Sequence, residues 1–383
     1  TSVKFIIDFI CICDTGSTDN TISVIENWGK ENNIPTTIHF EPFKNFGYNR
    51  TLSVKLAQES YPTSDYFLLS DADFIWKIKD SFEKDSLTSD VYLVYQENKD
   101  LLYYNPRLLK SNIPWICQGV THEHWEAEPS HNTNLEICLL DDLFINDQED
   151  GGYKQNKLER DTALLTEGLK DETITNFLRA RYIWYLAQTY AVQKKFKKAI
   201  DFYNLRSSIA EGKEEEKYLA LLRLGACYEF MGWEWSKVNT DKERQDLLDL
   251  WEIENFNQRK FFEEANQKYQ DAMKFMPHKA EAFYYLARLY RCLGKYQECY
   301  NLCTECMTKN FDMHHITGAE KEKMCYTFGF PIEISFISLP LKKFAEGKRM
   351  CLKVLEYDNV PEDIQKITMD NLKIYINLLK QNN

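Results

Sequence analysis

Three short segments of this chain echo one another: YLAQTY at 185–190, RLGACY at 223–228 and YLARLY at 285–290. Each carries a small residue about one helical turn before a tyrosine. Each is followed by a second amphipathic stretch, such as KKFKKAIDFYNLR or GKYQECYNLCTECM. Residues 155–310 are dense in Ala, Leu, Tyr, Lys and Glu at helical spacing, which favours helices with one apolar face. A helix pair of this kind cannot bury its apolar face alone, so the pattern constrains this half to a stack of paired helices.

Helix pairs with a small residue at the crossing and an aromatic one turn later resemble tetratricopeptide repeats, whose period is about 34 residues. The second and third echoes lie too far apart for one regular unit. The stretch WEWSKVNTDKERQDLLDLWEIENFNQRK, 233–260, therefore reads as an insertion or a degenerate repeat. Farther on, FGFPIEISFISLP reads as a break, and EGKRMCLKVLEY and IQKITMDNLKIYINLL read as two closing helices.

Residues 1 to about 145 have a different rhythm. Short apolar runs (FICIC, TTIHF, YFLLS, VYLVY, EICLL) alternate with turn clusters and with helical stretches such as TISVIENWGKEN, for which Asn20 or Thr21 would be the N-cap, and YNRTLSVKLAQES. That order reads as an α/β sheet layer. The expected domains are 1–150, 151–310 with an insertion near 233–260, and 311–383.

At 383 residues, with 44% hydrophobic and 28% charged residues, the chain has material for two or three packed cores. Its net charge of −12 and dispersed lysines and arginines leave no basic footprint for nucleic acid. No apolar run reaches the ~20 residues that span a bilayer. Eleven cysteines, odd in number and uneven in spacing, fit a reducing compartment, so a soluble, cytoplasmic protein is expected.

Two motifs point to chemistry. CICDTGSTDNT, 11–21, ends an apolar run in turn-forming residues, placing backbone N–H groups and the Asp14 carboxylate where open α/β sheets bind ligands. The plain alternative is a well-capped strand-to-helix turn. In FLLSDADFIW, Asp71 and Asp73 lie two apart. On an extended segment they would face the same way, suiting Mg²⁺ or Mn²⁺; a solvated turn after an edge strand is the alternative.

CDTGSTDNT, FKNFGYNRTLSVKLAQ and YFLLSDADF, in that order, resemble family 2 glycosyltransferases with a GT-A nucleotide-sugar fold. NPRLLKSNIPWICQGVTHEHW resembles the Arg-Leu, Trp, Gly-Val and His-Glu pattern of a subgroup that carries tetratricopeptide-like helices behind the catalytic domain. Bacterial peptide S-glycosyltransferases and proteins of giant DNA viruses look like this. The resemblance implies a GT-A-like α/β domain followed by an all-α helical-repeat domain, although the family's first strand is missing here. It implies a metal-dependent, inverting transfer from a nucleotide-diphosphate sugar, UDP-sugar first, to a protein, peptide or glycan, in the host cytoplasm or virion if viral.

By motif, the resemblance places Asp14, Thr15, Asn49, Arg50, Asp71 and Lys154 at the nucleotide sugar. It places Asp73, Asp71 and Asp147 at the metal, with Asp150 as another candidate and Lys157 as a second lysine for the diphosphate. Glu123 is the first candidate base and His122 the second; both could equally hydrogen-bond a loop. Cys299, Cys303 and Cys306, with His314 and His315 downstream, form a candidate zinc site weighed against helix-core packing. The competing function is a non-catalytic adaptor whose repeats bind protein, and a hydrolase using Asp71 and Asp73 is a third reading. The helical half would hold the acceptor or pair two subunits.

Overall fold

The computed structural model describes residues 2–97, 102–131, 134–148, 156–254, 256–311, 320–358 and 360–381. The chain divides into two compact units, Thr1–Tyr185 and Leu186–Asn383.

In the first unit, β1 (Ile10–Asp14) and β2 (Thr36–Phe40) pair in parallel across α1 (Thr21–Asn32). α2 (Phe46–Ser60) follows. A five-stranded sheet is then built from β3 (Tyr66–Leu68), β4 (Phe74–Ile78), β5 (Val91–Glu97), β6 (Leu102–Lys110) and β9 (Ile137–Asp147), in the order β3-β6-β5-β9-β4. β7 (Trp115–Gln118) and β8 (His124–Ala127) form a separate antiparallel pair. α3 (Lys157–Gly168) and α4 (Asn176–Val192) come next, and the division between units falls within α4. One face of the large sheet buries Trp76, Tyr92, Val94 and Ile145. A second cluster joins Val54 of α2 to Phe67, Val91, Leu109 and Trp115.

This topology corrects the expectation of a GT-A nucleotide-sugar fold over residues 1–150. Nucleotide-binding α/β sheets are mostly parallel and wound by crossover helices. In the five-stranded sheet only β5 and β9 pair in parallel; β3–β6, β5–β6 and β4–β9 are antiparallel, and β1–β2 is a separate two-stranded sheet. For β5 and β6 the cause is a short connection. β5 ends at Glu97 and β6 starts at Leu102, an interval that admits a hairpin and excludes a crossover helix.

The second unit is helical. α5 (Phe196–Ser208), α6 (Glu214–Lys237), α7 (Asp241–Trp251), α8 (Gln258–Phe275), α9 (Glu281–Cys292), α10 (Tyr296–Cys306), α11 (Glu320–Tyr326), α12 (Gly329–Ile337), α13 (Phe344–Leu355) and α14 (Glu362–Gln381) follow in order. α5 packs on α6, α6 on α8, α8 on α9, α9 on α10, α10 on α12, α12 on α13 and α13 on α14. The three echoes fall on α4, α6 and α9, and their second segments on α5 and α10. Ala187 and Ala287 are fully buried. α7 occupies the expected insertion and is anchored by Trp251, whose ring lies 5.9 Å from Phe196 and 5.8 Å from Phe261.

The expected break at 328–340 is instead the helix α12. Pro331 stands in its first turn, where the backbone needs no N–H donor, so the proline does not interrupt it.

Gly225 sets the distance between α6 and α8. A Cβ there would lie 2.5 Å from the Tyr269 ring, which is fully buried and tied through its hydroxyl to Glu229 at 2.7 Å. Gly225→Ala would gain about 1 kcal/mol of helix propensity and lose roughly 1–3 kcal/mol to overpacking. The variant should therefore unfold at lower denaturant concentration than the native chain; an unchanged or higher midpoint would contradict this packing.

Candidate functional site

The polar residues singled out in the amino-terminal half meet around the start of α2. Asn45 caps that helix by accepting from the Tyr48 N–H at 2.8 Å. The Phe46 and Gly47 N–H groups donate to Val120 O and Gly119 O at 3.1 and 3.0 Å. A Cβ on Gly47 would lie 2.4 Å from Gly119 O, so only glycine permits this approach. The contact brings Arg50 against the turn that joins β7 to β8.

Arg50 is held between two carboxylates, with Nη2 3.0 Å from Asp71 Oδ1 and Nε 2.7 Å from Glu123 Oε1. Arg107 Nη1 lies 4.0 Å from Asp71 Oδ2, and its Nη2 donates to Gln96 Oε1 at 2.7 Å. Gln96 Nε2 in turn donates to Asp147 Oδ2 at 3.1 Å. Two guanidinium groups, three carboxylates and one amide thus form a continuous network joining α2, β5, β6, the β3–β4 turn, the β7–β8 turn and the end of β9.

The other expected residues have local tasks. Asp14 accepts from Gly16 N at 3.0 Å, Ser17 N at 3.0 Å and Ser17 Oγ at 2.5 Å, and the Ser17 hydroxyl above all lowers its pKa. Its carboxylate closes its own turn, and Thr15 beside it is exposed. Asn49 is buried, accepting from Lys44 N at 2.9 Å and donating to Pro42 O at 3.1 Å. Asp71 and Asp73 lie in the turn between β3 and β4, where Phe74 N donates to Asp71 O at 3.3 Å. The alternation expected of a strand does not apply to them.

Among the described residues, no group of three or more His, Cys, Asp or Glu side chains is placed to hold a metal ion. The expected Mn²⁺ or Mg²⁺ set of Asp71, Asp73 and Asp147 is therefore not assembled. Lys154, Asp150, His314 and His315 lie outside the described residues. Cys299, Cys303 and Cys306 are free thiols buried in the helical core, as the packing alternative requires.

His122 adopts a left-handed backbone, φ 53°, and its ring stacks on Tyr185 at 3.8 Å. Arg181 Nε and Nη2 donate to its carbonyl at 3.1 and 2.9 Å. Burial pushes its pKa down to about 4, and the nearby Asp161 and Glu123 only partly oppose that.

Two participants in the network, Arg107 and Gln96, are given no site role by the sequence, although Arg107 is the arginine of the Arg-Leu pair in NPRLLK. They face the same interior from β6 and β5, and both are buried. Gln96 directly follows the apolar run VYLVY, and nothing local in NPRLLK shows that Arg107 answers an acidic group on the β3–β4 turn.

No family model matches the chain. No curated protein matches it. It is similar to the solved structure of a thermophilic TPR protein of Thermus thermophilus, at 13% identity over 57% of this chain and 93% of that one, with a TM-score of 0.34. BtubC from P. vanneervenii matches at 14% identity over 59% and 84%, TM-score 0.36. A tetratricopeptide repeat protein from Parabacteroides merdae matches at 16% over 58% and 79%, TM-score 0.25.

The expected kinship with family 2 glycosyltransferases is corrected accordingly. No family model supports that kinship, and the mostly antiparallel sheet departs from the implied fold. The nucleotide-sugar donor, the manganese requirement and the viral kinship were drawn from that resemblance and lose its support. Among the described residues no helix is long and apolar enough to cross a membrane.

Two measurements check this region. Arg50→Ala leaves two carboxylates without their shared cation, and should lower stability by about 2 kcal/mol at neutral pH; an unchanged denaturation midpoint would show that the network contributes nothing. His122 binds a proton more weakly folded than unfolded, so its contribution is fully present above its unfolded pKa near 6.5. It is lost as pH falls toward about 4, by up to about 3 kcal/mol. His122→Gln should flatten the stability curve across that window, and an unaltered slope would refute the assignment.

Proposed function

We propose that this protein is a protein-binding scaffold whose helical unit supplies the binding surface. The observation that carries the reading is the order of packing α5–α6–α8–α9–α10–α12–α13–α14, in which successive helices rest on one another. Such stacks leave long faces uncovered, and those faces bind polypeptides. Large apolar side chains stand in solvent along this one: Leu205 at 46%, Leu250 at 66% and Leu352 at 45% exposure. Backbone rigidity comes from paired, well-filled helices, so binding orders little of the scaffold.

The Arg50 network fits a structural part in this reading. Its charges are spent on one another, and it fixes the β7–β8 turn to α2. The test is capture of interacting proteins by the full chain, followed by chemical cross-linking and mass spectrometry of the complexes. Cross-links should concentrate in Leu186–Asn383. Cross-links confined to Thr1–Tyr185, or no stable partner at all, would overturn the proposal.

A further inference from the structure

An open cleft of about 560 Å³ lies where the end of α9, the first turn of α10 and the turn after α12 come together. Arg291, Cys292, Tyr296, Phe336, Leu339 and Pro340 line it. Leu339 is 43% and Tyr296 36% exposed. Arg291 does not make this lining cationic. Its guanidinium stacks 4.9 Å from the Phe336 ring, and its Nε donates to the buried Glu333 Oε2 at 2.5 Å. The floor is thus a fixed, largely apolar surface with its charge cancelled from below.

Three lysines stand next to the lining residues in the chain. Lys295 immediately precedes Tyr296, and Lys342 and Lys343 follow Pro340. Lys343 Nζ sits 4.4 Å from the Tyr300 ring and Lys295 Nζ 5.8 Å from the Tyr290 ring. Among the described residues none of these three lysines makes an ion pair, whereas Glu346 nearby is already paired with Arg349 at 2.5 Å. The exposed Glu298 offsets only one of them. On a chain of net charge −12 these unpaired lysines form a local basic group, which favours an anionic partner.

We propose that this cleft takes a peptide segment in which an aromatic or aliphatic side chain is flanked by Asp or Glu. The apolar side chain would fill the space over Phe336 and Leu339, and the flanking carboxylates would meet Lys295, Lys342 and Lys343. The inference rests on the scaffold reading and names the partner chemistry for one part of it.

The test selects a displayed random-peptide library on the full chain, then measures binding of one enriched peptide, made synthetically, to the native chain and to two variants. Lys295→Glu/Lys342→Glu reverses the rim, and Leu339→Ala trims the lining; all three positions are exposed, and thermal melts establish that each variant folds. Enriched peptides should pair Asp or Glu with an apolar residue, and the rim variant should bind at least about tenfold more weakly. Leu339→Ala should also weaken binding, and added salt should weaken the native complex. Peptides without acidic residues, or equal binding by native chain and variants, would overturn this site and leave the scaffold reading standing. Failure to enrich any peptide would overturn both.

Discussion

Three buried carboxylates hold the helical unit in register. Glu229 of α6 accepts from Tyr269 of α8 at 2.7 Å and from Arg288 of α9 at 2.7 Å. Glu281 of α9 accepts from Tyr218 of α6 at 2.9 Å and from Tyr326 of α11 at 2.9 Å. Glu333 of α12 is paired with Arg291 of α9. Each carboxylate thus ties a helix to one from a neighbouring pair. Burying such a charge is costly unless every partner is in place. A slip of one helix past the next would strand a carboxylate in the core, which apolar packing alone would tolerate more readily.

In the amino-terminal unit, close backbone approach plays the corresponding part. Gly47 lets α2 touch the β7–β8 turn, and that contact is what sets Arg50 between Asp71 and Glu123. The acidic groups that a ligand-binding site would hold in reserve are engaged by Arg50, Arg107 and Gln96 instead. The charge pattern around α2 is thus largely answered from within the fold.

The sequence is most legible where local periodicity decides structure. TISVIENWGKEN is α1 at the expected residues, TTIHF is β2, and the echoes at 185–190, 223–228 and 285–290 mark three helices. Legibility ends where partners, not local pattern, decide. β4, β6, β7 and β8 do not stand out as strands, because their pairing with distant segments has no signature within each stretch. Asp71 and Asp73 look like ligands because two carboxylates in short spacing invite that reading, while the guanidinium groups that answer Asp71 come from α2 and β6. Pro331 suggests a break because its place in the first turn of α12 depends on where that helix starts.

The way α6 meets α8 has a consequence for how this chain can vary. Gly225 and Gly232 lie flush against Tyr269 and Phe262, so the pairing of these two helices is fixed by surfaces that the intervening segment, α7 included, does not supply. The entropy of closing that connection rises only with the logarithm of its length. Residues between α6 and α8 can therefore lengthen, shorten or change sequence at small thermodynamic cost, provided that the Trp251 anchor is kept or its cavity is refilled. Variation among descendants of this chain is expected to collect there, as growth at a seam that the rest of the stack does not feel.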